Sequence, residues 1–230
     1  MGNFSLRRLA QYARYHYTSM RNNYIMLLLV MVGTPALFGI MNGSSIVASD
    51  CVGSIYILGG IAIAYRQTFL LRDRSSLILE NTLPVSTSER FIFMLLNLAV
   101  LFPLCSIITG VLSILIVTPF SDVELKSALM EFYYAYLSHS ALYFASQVIS
   151  SVCLMLNLIA GRRLLLTYFI AFVTFILAVY GFVELIDGVE VNVEVTEAAE
   201  SVLLHLLFIV PAVIFYTVSY VLLRRRQVKW

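Results

Sequence analysis

Residues Tyr24–Asn42 read YIMLLLVMVGTPALFGIMN, with no charged residue and only Thr34 polar between the ends. A helix needs roughly 20 mostly apolar residues to cross a bilayer, and this run has that length. Five more stretches qualify: Ile46–Tyr65, Phe91–Thr118, Phe132–Leu158, Leu164–Ile186 and Val202–Leu223. Hydrophobic residues make up 60% of the 230, against roughly 45–50% in soluble domains. A soluble fold this apolar would expose more greasy surface than monomers tolerate. The expectation is an all-α, polytopic membrane protein with six transmembrane helices.

The third and fourth runs exceed what the hydrocarbon needs, so they tilt, kink or project beyond it. Pro35, Pro103 and Pro211 fall inside spans, where neighbouring helices must satisfy the backbone groups each proline frees. The short gap after the first run predicts a tight hairpin. Gly39/Gly43, Gly60/Ala64, Ser106/Gly110, Ala141/Ala145 and Ser146/Ser150 have the spacing that lets helices approach closely.

Ahead of the first span, residues 1–23 form a unit of their own. Leu6, Leu9, Ala10, Ala13, Tyr17 and Met20 recur at helical spacing, while Arg7, Arg14 and Arg21 repeat every seven on another face. The pattern predicts a basic amphipathic helix in the membrane interface, its cations towards anionic head groups. Residues 24–230 make the six-helix domain, with a loop at 66–90. No cleavable leader is expected, because a polar, basic stretch precedes the first apolar run.

Six spans put fourteen of the fifteen Lys and Arg residues on one side, with Lys126 alone opposite. By the positive-inside rule that side, with both termini, is cytoplasmic. Ten of the thirteen acids fall outside or near the outer ends of spans.

Chemistry-bearing motifs are sparse. Neither Lys126 nor Lys229 follows a glycine, so no phosphate-cradling G-x-x-x-x-G-K-[ST] loop exists and this chain does not hydrolyse ATP. Cys51, Cys105 and Cys153 are odd in number and widely spaced, which fits packing better than disulfides or zinc. His139 and His205 fall near the outer ends of the fourth and sixth spans. A haem between them is one reading; helix packing is the simpler one. Val189, Val191, Val193 and Val195 alternate with polar residues, a period of two that suits a short strand or a solvated loop resting on the bundle.

The loop after the second span reads Arg72-Asp73-Arg74-Ser75-Ser76-Leu77-Ile78-Leu79-Glu80-Asn81-Thr82-Leu83-Pro84-Val85-Ser86-Thr87-Ser88-Glu89-Arg90. Asp73 or Ser75 can cap a short helix, and Pro84 ends it. Ser86 followed by Glu89 is a capping-box pattern that starts the next helix. Leu77, Ile78, Leu79 and Glu80 then make an apolar knob beside a charge, suited to a groove on another protein.

Through Leu79-Glu80-Asn81-Thr82-Leu83-Pro84-Val85-Ser86 and Glu89-Arg90 leading into a span, the chain resembles the ABC-2 type (type V) ABC transporter permeases. Where members often carry a lysine early in the third span, this chain has Met94 and Leu95. The resemblance implies a dimer of permeases, homo- or heterodimeric, in the cell inner (plasma) membrane. Each would bind one ATPase subunit that holds ATP and Mg, so this chain carries no cofactor, no metal and no catalytic residue. It further implies that Leu77, Ile78, Leu79, Glu80 and Leu83 dock the ATPase as a coupling helix. The bilayer is the other partner, and nucleic acid is not one. Two other classes compete: a non-transporting membrane anchor or assembly protein for a cytoplasmic partner, and an intramembrane enzyme or haem carrier.

Overall fold

The structure, a computed structural model, describes residues 4–69, 85–134, 141–160 and 197–228. Every regular element among them is a helix. With no water in the bilayer core, a chain this apolar satisfies its backbone within its own turns. We number the helices α1 Leu6–Ser19, α2 Arg21–Met41, α3 Ser45–Phe69, α4 Thr87–Leu96, α5 Phe102–Val117, α6 Leu125–Phe132, α7 Ala141–Ala160 and α8 Glu197–Val228. A π turn, Asn97–Leu101, joins α4 to α5.

Four stretches are helical, long and apolar enough to cross a membrane: Arg21–Met41, Ser45–Phe69, the continuous Thr87–Phe120 and Phe208–Arg225. They correspond to the first, second, third and sixth predicted spans. The fourth is described only in part, as α7, and the fifth lies outside the described residues. So does the alternating Val189–Val195 stretch. At 34 residues the third stretch is about 50 Å long, well beyond a hydrocarbon core of about 30 Å. It is longer than one crossing needs, as the sequence run indicated.

The expected hairpin joins α2 to α3. Gly43 closes it at φ +60, the left-handed region that glycine enters without steric cost. Its N–H donates to the Ile40 carbonyl at 3.1 Å and that of Ser44 to Gly39 at 3.0 Å, the paired bonds of a Schellman cap. Across from it, Ser121 after α5 accepts the Ser45 N–H at 3.1 Å. The far ends of α2, α3 and α5 are therefore pinned together.

Small residues set the helix crossings. A Cβ on Gly39 would lie 2.8 Å from both Ala48 Cβ and Val117 Cγ2, and one on Gly60 would lie 2.5 Å from Ser150 Oγ. α2 packs on α3 and α5, while α7 packs on α3 and α8. The largest core cluster gathers Met31, Tyr56, Ile63, Met94, Leu98, Phe102, Leu154 and Leu223. Cys153 is buried in that cluster, and none of the three cysteines forms a disulfide.

Crossing geometry yields a paired prediction. Gly39→Ala forces α2 away from Ala48 and Val117 and lowers stability by about 2 kcal/mol. Gly33→Ala meets nothing within 4 Å, so it stabilises by up to about 1 kcal/mol through helix propensity. Unfolding of both variants in detergent checks the opposite signs.

Candidate functional site

The helices carry their charges to opposite ends. α2 begins at Arg21 and α3 returns to Arg66; α8 contacts α4 through Ser88 and Tyr220, 3.2 Å apart, and so ends beside it at Arg224 and Arg225. Arg7, Arg8 and Arg14 on α1 join this end. Asp122, Glu124 and Glu131 lie at the opposite end, beyond α5. Among the described residues, Glu89 is the one acid at the basic end.

That acid is buried. The Ser86–Glu89 capping box forms as its spacing predicted: the Glu89 N–H donates to Ser86 Oγ at 3.3 Å, and the Ser86 N–H donates to Glu89 Oε2 at 2.8 Å. The other carboxylate oxygen takes what the sequence gave no hint of. Glu89 Oε1 accepts the Ser5 N–H at 2.7 Å, Arg8 Nε at 3.1 Å and Arg8 Nη2 at 2.8 Å. With its side chain 0% exposed against 33% for Arg8, the carboxylate depends on these donors, since an unpaired buried charge is very costly. One residue thus caps α4 and clamps the start of α1 onto it.

α1 then runs along α4. Its Tyr12 ring meets Phe93 edge-on at 5.2 Å, and His16 meets the same ring at 5.0 Å. Tyr17 donates its hydroxyl to Asn97 Oδ1 in the π turn. His16 is 1% exposed, with Nε2 3.1 Å from the Tyr24 hydroxyl and, among the described residues, no hydrogen-bond partner on Nδ1. Burial pushes its pKa down from 6.5 to about 4, so the ring is neutral at physiological pH. Arg7, Arg14 and Arg21 are exposed on another face, as expected. The apolar face is divided differently from its sequence pattern: Met20 is buried and Tyr17 turns to the bundle, while Leu6 stays 72% exposed.

The π turn itself is completed by side chains from neighbouring helices. The Phe102 N–H donates to the Asn97 carbonyl, five residues back. Pro103 has no N–H to offer the next carbonyls. α7 supplies the missing donors: Gln147 Nε2 to the Leu98 carbonyl at 3.1 Å and the Tyr143 hydroxyl to the Ala99 carbonyl at 2.9 Å. α8 completes the set, with Tyr216 donating to Gln147 Oε1 at 3.0 Å.

The docking residues expected in the loop, Leu77, Ile78, Leu79, Glu80 and Leu83, lie outside the described residues, as does His139. His205 falls on α8. What is described is the frame of that loop: α3 up to Phe69 and the chain from Val85 onward. Comparison with known protein families, with curated proteins and with solved structures gives no match for this chain.

Two predictions test the clamp's surroundings. Ser86→Ala removes a cap and costs about 1 kcal/mol. Ser86→Asp, an equally good cap in isolated helices, costs more here because its charge lies beside buried Glu89; denaturation in detergent ranks the two. His16 supplies a pH dependence. Because its folded pKa lies below its ordinary value, the neutral ring's contribution is full above pH 6.5 and is lost as pH falls towards 4. Between pH 7 and 5 the wild type loses about 2 kcal/mol, and His16→Phe loses much less over the same interval.

Proposed function

We propose that this chain is the membrane-embedded permease subunit of an ATP-driven ABC exporter of the ABC-2 type. In this reading it spans the cell inner (plasma) membrane six times with both termini cytoplasmic, and it works as a dimer. A separate ATPase subunit binds ATP and Mg, and this chain performs no catalysis. The basic end is then cytoplasmic, in keeping with the positive-inside rule.

The observation that carries the reading is the Glu89 clamp. The chain that follows residue 84 is tied at once to α1 and continues as the third apolar helix. Force applied to Leu77, Ile78, Leu79, Glu80 or Leu83 by a docked ATPase would pass through a capped helix into the bundle, with α1 braced beside it. ATP-driven closure of the two ATPases would rock the bundles and open the substrate path to the other side. Apolar docking residues beside one charge suit a groove on such a partner.

Pull-down from native membranes tests this directly: an ABC ATPase copurifies with the chain, and its ATP turnover depends on the pair. Glu80→Arg inserts normally but weakens the complex roughly tenfold, the effect of about 1.4 kcal/mol, and lowers turnover with it. Complex formation and turnover unchanged by Glu80→Arg would overturn the docking assignment.

A further inference from the structure

A π turn adds one residue to a helix and is kept only where something compensates its poorer bonding. Here the compensation comes from outside the helix. The carbonyls of Leu98 and Ala99 are held by Gln147 and Tyr143 of α7, Gln147 is held in turn by Tyr216 of α8, and Asn97 is held by Tyr17 of α1. Asn97 Nδ2, at the first residue of the turn, is buried and has no hydrogen-bond partner among the described residues. The turn also sits at a mechanical boundary. Before it, α4 is clamped to α1 through Glu89; after it, α5 is packed against α2 through Ser113, whose hydroxyl reaches the Val32 carbonyl at 3.0 Å, and through Val117 on Gly39, and against α3 through Phe102 stacked on Tyr56.

We propose that the Asn97–Leu101 turn is a two-register joint, latched in its π form by Gln147 and Tyr143, about which α4 turns relative to α5. In the second register the main chain bonds four residues back, as in an ordinary α-helix. Taking the extra residue into the ordinary α spiral rotates α4 by about 100° and moves it about 1.5 Å away from α5 along the axis. Pro103 keeps the two registers close in energy: it denies the α form a donor at Ala99, so neither register is complete without side chains from α7. Packed elements of this kind switch between discrete arrangements rather than deform smoothly. Gln147 acts as a positioning residue, since its amide touches both the turn and α8. The inference needs only the bundle, and it stands or falls apart from the transport reading.

Spin labels at Ile92→Cys on α4 and Leu112→Cys on α5, with Cys51, Cys105 and Cys153 replaced by serine, read the joint in the full chain by pulsed dipolar spectroscopy. The latched turn gives one dominant distance. Gln147→Leu adds a second resolved distance, and Pro103→Ala, which restores the main-chain donor, enriches that same distance. Combining the two makes the second distance dominant. Should Gln147→Leu fail to fold, Tyr143→Phe removes one latch bond with little change in volume and produces the smaller shift. An unchanged single distance in Pro103→Ala and in whichever α7 variant folds would overturn the joint, as would a merely broadened distribution with no second distance.

Discussion

A carboxylate with no access to solvent must be matched donor for donor, and Glu89 imposes that condition on the basic end of the bundle. Two of its partners, the Ser5 N–H and the Arg8 guanidinium, are more than 80 residues away in the chain. The third is its own helix start at Ser86. Because the charge tolerates no vacancy, the first turn of α1, the end of the loop and the first turn of α4 are fixed by one group. The aromatic packing of Tyr12 and His16 on Phe93 and the Tyr17–Asn97 bond extend that register two turns along α4. The basic amphipathic segment is thereby built into the bundle, while its arginine stripe stays exposed.

The second constraint is the lipid. Backbone groups freed inside a span have no water to turn to, and Pro103 frees them where the helix has already departed from α geometry. That explains why α7 brings Gln147 and Tyr143 to this level. Proline, π turn and glutamine form one unit: an irregular backbone is tolerable because two side chains finish its bonding.

What could be read from the sequence was what depends on near neighbours. Apolar run length gave the helices α2, α3, α4–α5 and α8; the short gap between the first two runs gave the hairpin; Ser86 and Glu89 gave the cap. Small residues at Gly39 and Gly60 gave crossings, though not their partners. The clamp was illegible because Arg8 and Glu89 are linked only by tertiary geometry, and one sequence holds no trace of that pairing. The π turn was half legible: Pro103 announced freed carbonyls, and nothing in an apolar run announced an extra residue. The packing of α1 on the bundle was illegible because its pattern marks an apolar face for the membrane interface, whereas Tyr12 and His16, outside that pattern, are the buried residues.

Whether the clamp is real as an energetic unit is decided by a double-mutant cycle of Arg8→Ala and Glu89→Gln, read as unfolding free energy in detergent. Hydrogen bonds to a buried charge contribute about 1.5–3 kcal/mol, so the two substitutions are predicted to be non-additive by at least about 1.5 kcal/mol. Effects that add to within about 0.5 kcal/mol, the behaviour of independent sites, would contradict the account.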